Sequence, residues 1–156
     1  MSTDLGGYEL PLRLLLGFRA LIDGLHAELA QQGHPDVRPV HGFILQAVGL
    51  EGATAAEVGR RLGVTKQAAT KQIEQLEHLG YLSRAADTSD GRRKVIRRTG
   101  AGQDVLVRSA AIFDQLRIGW SETLGEDRLA ALERDLREVT AGPLFRFDAP
   151  GWFSGG

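Results

Sequence analysis

The fold is encoded most clearly by residues 54–98, which read TAAEVGRRLGVTKQAATKQIEQLEHLGYLSRAADTSDGRRKVIRR. The pattern predicts two short amphipathic helices separated by a turn at Gly63-Val64. Thr54 and Thr65 stand where each helix begins, and a threonine hydroxyl can accept a hydrogen bond from the first turn. Glu57 follows Thr54 at the spacing of a capping box. The segment therefore predicts a helix-turn-helix.

The second of these helices has an apolar face and a polar N-terminal end. We expect the buried stripe at Ala69, Ile73 or Gln72, Leu76 and Leu79. The outward residues carry hydroxyl, amide and ammonium groups, which can contact base edges and phosphates of DNA. These candidate DNA-binding residues are Thr65, Lys66, Gln67, Ala68, Thr70 and Lys71.

A basic hairpin is predicted directly after the second helix. Gly80 is expected to end the helix, and residues 81–84 and 94–98 are expected to pair as antiparallel strands. Asp90-Gly91 is typical of the bend between such strands. The expected fold class is therefore mainly α with a small antiparallel β wing, a winged helix-turn-helix.

Charge is concentrated in the same region. Residues 58–100 hold ten basic and four acidic side chains, a local charge of 10 − 4 = +6, whereas the whole chain carries −1 and the remainder therefore −7. A basic module on an acidic chain favours a polyanionic partner such as DNA. A basic run is also commonly only a solvated face, so the adjacent motif decides between the two interpretations.

Composition limits the remaining choices. The chain has 156 residues, 42% hydrophobic content and no cysteine, which favours one domain over residues 1–156 and excludes disulfides and thiolate chemistry. The N-terminus lacks the basic start of a signal peptide, and the apolar run at residues 10–16 is too short to span a membrane. A cytoplasmic protein without a membrane partner is expected.

Helices are predicted on both sides of the winged segment. One is expected over residues 11–33, one from the cap Thr99 up to Gly119-Trp120, and one over residues 126–142. Their apolar positions exceed what a small domain needs for its own core, which favours pairing with a second subunit. The interpretation is a DNA-binding lobe at about 37–100 and dimerisation helices at about 10–35 and 101–142. The alternative is that these helices only cover the core of their own chain.

Enzymatic or metal chemistry is not indicated by the sequence. The four histidines, His26, His34, His41 and His78, form no i, i+4 pair, although they could still meet distant carboxylates in the fold. The serines lack a nearby histidine and aspartate pattern, and no phosphate-binding glycine loop is present. We therefore expect no catalytic residues, no metal and no cofactor.

These residues resemble the MarR family of bacterial transcription regulators over most of the chain, from about 14 to 139. The likeness is carried by VGRRLGVTKQ at residues 58–67, by IEQLEHLGYL at residues 73–82 and by the wing motif RAADTSDGRR at residues 84–93. By this resemblance, Asp90 shapes the wing loop and Arg92 enters the minor groove of DNA. Arg84, Arg93 and Lys94 are expected to contact phosphates or the wing's own aspartates. Gln67 and the closing PGWF at residues 150–153 depart from the family pattern.

The resemblance also implies an all-helical homodimer with a small winged sheet, bound to a roughly palindromic double-stranded operator. Such proteins are usually repressors released by a small molecule, often an aromatic acid or another anionic lipophile. The expected ligand cleft lies between the dimer helices and the DNA-binding lobe. We predict Phe18, His41, Phe43 and Phe113 as candidate walls and Arg13 or Arg38 as the charge complement of the ligand.

Three alternatives remain open at this stage. The phenylalanines could be ordinary core residues. The winged fold could bind an acidic protein partner instead of DNA, in which case no salt-steep DNA binding is expected. The dimer cleft could serve a small-molecule carrier or an enzyme, although the sequence shows no catalytic constellation for it.

Overall fold

The computed structural model describes residues 4–86 and 91–142. A short 3₁₀ turn at Gly6–Tyr8 precedes the helices. The elements are, in chain order, α1 (Glu9–Gln31), α2 (Pro39–Val48), α3 (Ala55–Leu62), α4 (Lys66–His78), β1 (Leu82–Ala86), β2 (Lys94–Arg98), α5 (Gly100–Leu124) and α6 (Glu126–Val139). The predicted fold class, mainly helical with a two-stranded antiparallel wing, is confirmed. We call α2, α3, α4, β1 and β2 the winged lobe, and α1, α5 and α6 the helical frame.

The helix-turn-helix forms for local reasons that the sequence predicted. The Thr54 hydroxyl accepts from the Glu57 amide at 3.2 Å, and the Thr65 hydroxyl accepts from the Ala68 amide at 3.0 Å. Gly63 ends α3 in the left-handed region at φ 68°, where glycine carries no steric penalty. The Glu57 carboxylate does not complete a reciprocal capping box, since it pairs with arginines instead.

The wing is a regular two-stranded ladder whose register runs from Leu82 opposite Arg98 to Ala86 opposite Lys94. β1 begins one residue later and ends two residues later than predicted. Ala53 and Ile96 exchange two backbone hydrogen bonds of 2.9 and 2.8 Å, so the wing is also fixed to the segment before α3. The predicted bend at Asp90-Gly91 begins in residues 87–90, which lie outside the described residues.

The apolar core lies mainly under the winged lobe. The predicted stripe of α4 is buried, with Ala69, Ile73 and Leu76 each 0% exposed. Side chains of α2, α3 and β2 pack against it, and the frame contributes Leu25 and Leu29 from the C-terminal half of α1. Val105 and Ile112 of α5 also belong to this core. Other apolar residues of the frame, such as Leu10 and Leu16 of α1, are much more exposed.

The frame differs from prediction at one boundary. α5 does not end at Gly119-Trp120 but continues to Leu124, where Gly125 at φ 83° follows it. The expectation was wrong because a glycine inside a helix costs only about 1 kcal/mol, and α5 packs closely along α1. A Cβ at Gly17 would lie 3.2 Å from the Trp120 ring, and one at Gly24 would lie 3.0 Å from Leu116.

The outer ends of the chain add two observations. α1 begins at Glu9, before the predicted Pro11, and Gly33 follows its end at φ 98°. The Trp152-Phe153 segment lies outside the described residues. Within residues 4–86 and 91–142, no helix is long and apolar enough to cross a membrane.

Candidate functional site

The N-terminal end of α4 is presented to solvent. Thr65, Lys66, Gln67, Ala68 and Lys71 are exposed. The Thr70 hydroxyl donates to the Lys66 carbonyl at 2.8 Å, which leaves its oxygen able to accept from a ligand. A shallow surface depression brings together Thr65, Gln67, Ala68, Thr70, Lys71 and Glu74. Five of the residues predicted to contact DNA through this helix end therefore share one face, and Lys66 lies outside the depression.

Glu74 belongs to this face although sequence reasoning did not include it. It lies four residues after Thr70, so one further helical step along the same face would have found it. Its carboxylate accepts hydrogen bonds only, which suits a base amino group better than a phosphate.

Two ion pairs fix the wing against the helices. Arg93 pairs with Glu57 of α3, and the Arg84 guanidinium donates to the Glu77 carboxylate of α4 at 2.7 Å. Both arginines were expected to contact phosphates or wing aspartates; in this structure they pair with helix glutamates. Arg92 and Lys94 lie exposed on the same hairpin, and Asp90 lies outside the described residues.

Part of the local positive charge serves the fold. Arg98 donates to the Leu45 carbonyl at 2.8 Å, and Arg61 donates to the Ala47 carbonyl at 2.6 Å. Both bonds satisfy carbonyls near the end of α2, which have no partner inside the helix. Burial lowers the pKa of the Arg98 guanidinium. Fewer basic groups therefore face outward than the charge count suggests.

A second feature is a cavity of about 340 Å³, partly open to solvent, between α1, α2, α5 and the segment before α2. Its size lies in the range of small-molecule sites. Three of the predicted walls, Phe18, Phe43 and Phe113, line it. The other lining residues are Ile22, Leu25, His26, Leu29, Val37, Pro39, Gly42, Gln46, Val105, Leu106, Ser109 and Ala110.

The other predicted effector residues lie elsewhere. His41 is 0% exposed and faces α4, where its Nε2 lies 3.3 Å from the Gln75 amide oxygen and its Nδ1 accepts from the Arg38 amide at 3.0 Å. Desolvation lowers the pKa of His41, opposed in part by Gln75. Arg13 is exposed beside Glu9, and Arg38 is exposed at the start of α2. No cationic side chain in the described chain lines the cavity.

His26 is one of three polar residues of the lining, with Gln46 and Ser109, that the sequence did not lead us to assign to this cavity. Both of its ring nitrogens are buried and have no hydrogen-bond partner in the described part of the chain. Burial lowers the pKa of His26, and the nearby Val37 backbone and Asp23 oppose this only in part. Its place between Leu25 and Leu29 in the apolar stripe of α1 was the available signal.

A hydrogen-bond network joins the winged lobe to the frame. The His34 ring lies 2.8 Å from the Tyr81 hydroxyl and 2.8 Å from the Asp104 carboxylate, which also accepts from Arg108 at 2.7 Å. The hydrogen bonds from His34 and then Arg108 hold the pKa of Asp104 below its ordinary value. Gly102 lies beside this network, because a Cβ there would be 2.2 Å from the Tyr81 carbonyl oxygen.

An exposed polar helix end beside a wing that is fixed to both helices defines a winged helix-turn-helix protein. Residues 36–93 match the family model described as the MarR family. This match covers 58 of the 156 residues, so the winged segment of the chain is similar in sequence to MarR-family proteins.

Similar proteins were found at the level of sequence and of structure. The chain is 38% identical over 88 residues to the LexA repressor of Deinococcus radiodurans, which covers 54% of this chain. It spans only 40% of the length of that curated relative. Streptococcus pneumoniae FabT, solved in complex with DNA, matches with a TM-score of 0.71 and 17% identity, covering 86% of this chain and 94% of its own.

A third relative was solved with a ligand. The PcaV transcriptional regulator of Streptomyces coelicolor, in complex with its natural ligand, matches with a TM-score of 0.60 and 21% identity. The match covers 89% of this chain and 94% of PcaV. At these identities, both solved structures establish a shared fold.

Proposed function

We propose that this protein is a transcriptional repressor that binds a roughly palindromic operator as a homodimer and is released by a small molecule. The observation that carries the proposal is the exposed polar end of α4 beside the wing. Side chains there offer hydroxyl, amide and ammonium groups on one face, which is the chemistry needed to contact bases and phosphates together. The MarR-type sequence of residues 36–93 supports the same assignment.

The ion pairs that attach the wing to α3 and α4 also support DNA binding. Because Arg93 and Arg84 tie the hairpin to α3 and α4, the wing and the reading helix keep a fixed relative position. A rigid arrangement of this kind allows α4 to enter the major groove while Arg92 reaches the adjacent minor groove. Lys94 is then near enough to the backbone to contact phosphates.

Dimerisation is supported by the exposed apolar side chains of the frame. Leu10, Leu15 and Leu16 of α1 are 69%, 48% and 58% exposed, and Ile118 of α5 is 46% exposed. Exposed apolar surface of this extent is typical of a protein interface. A two-fold arrangement through residues 10–35 and 101–142 presents two reading helices about 34 Å apart, one turn of DNA.

Ligand release is supported by the position of the cavity. Its walls belong both to the frame, through α1 and α5, and to the winged lobe, through α2. A ligand that binds one spacing of these elements more tightly than the other shifts the protein toward that spacing. The likeness to PcaV, which was solved with a natural ligand, supports a ligand-responsive role.

The test is an electrophoretic mobility shift with DNA from the protein's own upstream region, at two salt concentrations and against excess unrelated duplex. A specific shift that weakens at higher salt is expected, because phosphate contacts release counterions. The protein for this test is first freed of bound small molecules. If it then gives no shift that survives the unrelated competitor duplex, the proposal is contradicted. That result favours a winged protein-interaction module instead.

A further inference from the structure

The cavity between α1, α2 and α5 contains one unsatisfied polar side chain among its described lining residues. Both ring nitrogens of the half-buried His26 are inaccessible to solvent, and neither makes a hydrogen bond of ordinary length to a described residue, although the Val37 backbone lies close to the ring. The two other polar side chains of the lining differ from it. The Ser109 hydroxyl donates to the Val105 carbonyl at 2.7 Å, and Gln46 is exposed to solvent. Inaccessible ring nitrogens without a hydrogen bond are unfavourable, so a ligand group that bonds to one of them gains more free energy than it would at an exposed histidine.

The size of the cavity restricts the partner to a small molecule. An apolar cavity of about 150 Å³ accommodates benzene. This cavity of about 340 Å³ has room for one or two rings. Phe18, Phe43 and Phe113 provide aromatic walls for such a molecule.

The charge of the cavity restricts the ligand further. Arg13 and Arg38 do not line it, so a carboxylate placed inside would lose its hydration without gaining a cationic partner. Burial lowers the pKa of His26, which favours a neutral ring with one nitrogen able to accept a hydrogen bond. A carboxyl group with an ordinary pKa of about 4.3 carries the required proton in roughly one molecule in 500 at pH 7. A phenol or an alcohol keeps its hydroxyl proton at pH 7 and can therefore donate it in nearly every molecule.

We propose that the cavity binds an uncharged lipophilic molecule with a hydroxyl group, such as a phenol, whose O–H donates to a ring nitrogen of His26. The effector class is therefore neutral rather than anionic. As an explanation of release from DNA, this inference rests on the proposed repressor function. The binding itself involves only α1, α2 and α5 and does not require DNA.

The experiment is isothermal titration calorimetry of the full chain, without DNA at pH 7, with 4-ethylphenol, ethylbenzene and 4-ethylbenzoate. These probes share a ring and differ in the polar group. We expect 4-ethylphenol to bind about tenfold more tightly than ethylbenzene, the increment of one well-placed hydrogen bond to a buried partner. The benzoate is expected to bind more weakly than the phenol.

The His26→Leu variant separates the hydrogen bond from the apolar contribution. It should bind ethylbenzene as the wild type does and lose the tenfold advantage of the phenol. The matched control is His78→Leu, which removes an exposed histidine of α4 far from the cavity lining. It should retain the advantage. In the wild type, 4-ethylphenol should also shift the imidazole nitrogen resonances of His26, a readout that does not depend on a variant.

Three results overturn the inference. One is tighter binding of the benzoate than of the phenol, and another is an advantage of the phenol that persists in His26→Leu with unchanged His26 resonances. The third is no binding of any probe at millimolar concentration. A failed mobility shift sinks the repressor proposal but leaves the calorimetric result standing, so the two failures are distinguishable.

Discussion

The helical frame is richer in leucine and isoleucine than the winged lobe, yet it leaves more of these side chains exposed. In the lobe, Ile44, Leu62 and Leu76 are at most 1% exposed. In the frame, Leu10 and Leu16 of α1 are more than half exposed, and Ile118 of α5 is nearly so. The lobe therefore buries these side chains within one chain, whereas the frame leaves several of its apolar side chains exposed. This difference gives each region a separate experimental signature.

The strongest contrast is expected from truncating one leucine in each region. Leu76→Ala should lower the free energy of unfolding by about 2 to 5 kcal/mol at every protein concentration, because it leaves a cavity in a closed core. Leu16→Ala should destabilise only when the protein is concentrated enough to dimerise. Chemical denaturation at two protein concentrations measures both. A concentration-independent loss in Leu16→Ala contradicts an intermolecular role for α1.

A second comparison probes the joint between the two regions. Gly102→Ala should lower the free energy of unfolding by about 1 to 3 kcal/mol, because the new Cβ overlaps the Tyr81 carbonyl and must move α5 or the wing. Gly100→Ala is the matched control, since a Cβ there meets no atom of the described residues within 4 Å. It should be neutral or stabilising by up to about 1 kcal/mol. Equal thermal denaturation curves for the two variants would show that the joint is not tightly packed.

A third comparison sharpens the role of the lobe on DNA. Gln67→Ala should reduce binding to the specific site by about 1 to 3 kcal/mol and leave binding to unrelated duplex unchanged, because an amide addresses base edges. Lys71→Ala should weaken binding to the specific site and to unrelated duplex alike. It should also reduce the slope of log binding constant against log salt concentration by about one, because a lysine contacts phosphate. Mobility shifts over a salt series distinguish the two. Identical behaviour of the variants would contradict the placement of α4 in the major groove.

The smallest effect is a pH dependence at the joint. The pKa of Asp104 lies below its ordinary value of 3.8 in the folded protein, because His34 and Arg108 bond to the charged carboxylate. The unfolded chain therefore binds this proton more readily. The stabilisation is fully present above about pH 4 to 5 and is lost as the pH falls below 3.8 through the folded value.

The Asp104→Asn variant removes the stabilisation that the charged carboxylate provides. Its stability should fall less between pH 7 and pH 3 than that of the wild type. Asp114→Asn, which changes an exposed carboxylate of the same helix, is the control and should leave the pH dependence as it is. The measurement is the denaturant midpoint at each pH. An unchanged pH dependence in Asp104→Asn contradicts the linkage.

Local signals were sufficient to predict the helix-turn-helix. Thr54 and Thr65 cap helices through hydrogen bonds that span three residues, and the apolar spacing of α4 appears directly in the sequence. Helix ends were less predictable. Glycine is a residue that commonly ends a helix, so Gly119 was expected to end α5. Packing of Trp120 against Gly17 outweighs the cost of a glycine inside the helix.

The candidate site was predicted in part. The outward residues of α4 follow from helical periodicity, and Phe18, Phe43 and Phe113 meet at the cavity as expected. His41 was expected there as well, but it lies only two residues before Phe43 on α2. Two residues correspond to roughly half a helical turn, so the two side chains leave the helix on different sides, and His41 faces Gln75 of α4.

By itself, the sequence determined the features that depend on near neighbours: the capped helices, the buried stripe of α4, the hairpin and the resemblance to the MarR family. The tertiary structure decided which distant groups meet. Arg93 finds Glu57 across 36 positions of the chain, and His34 finds Asp104 across 70. The His26 ring lies beside the cavity, where no described residue makes a hydrogen bond of ordinary length to it. Such pairings depend on how helices cross, and helix crossing is set by the packing of many side chains at once, which no short sequence pattern records.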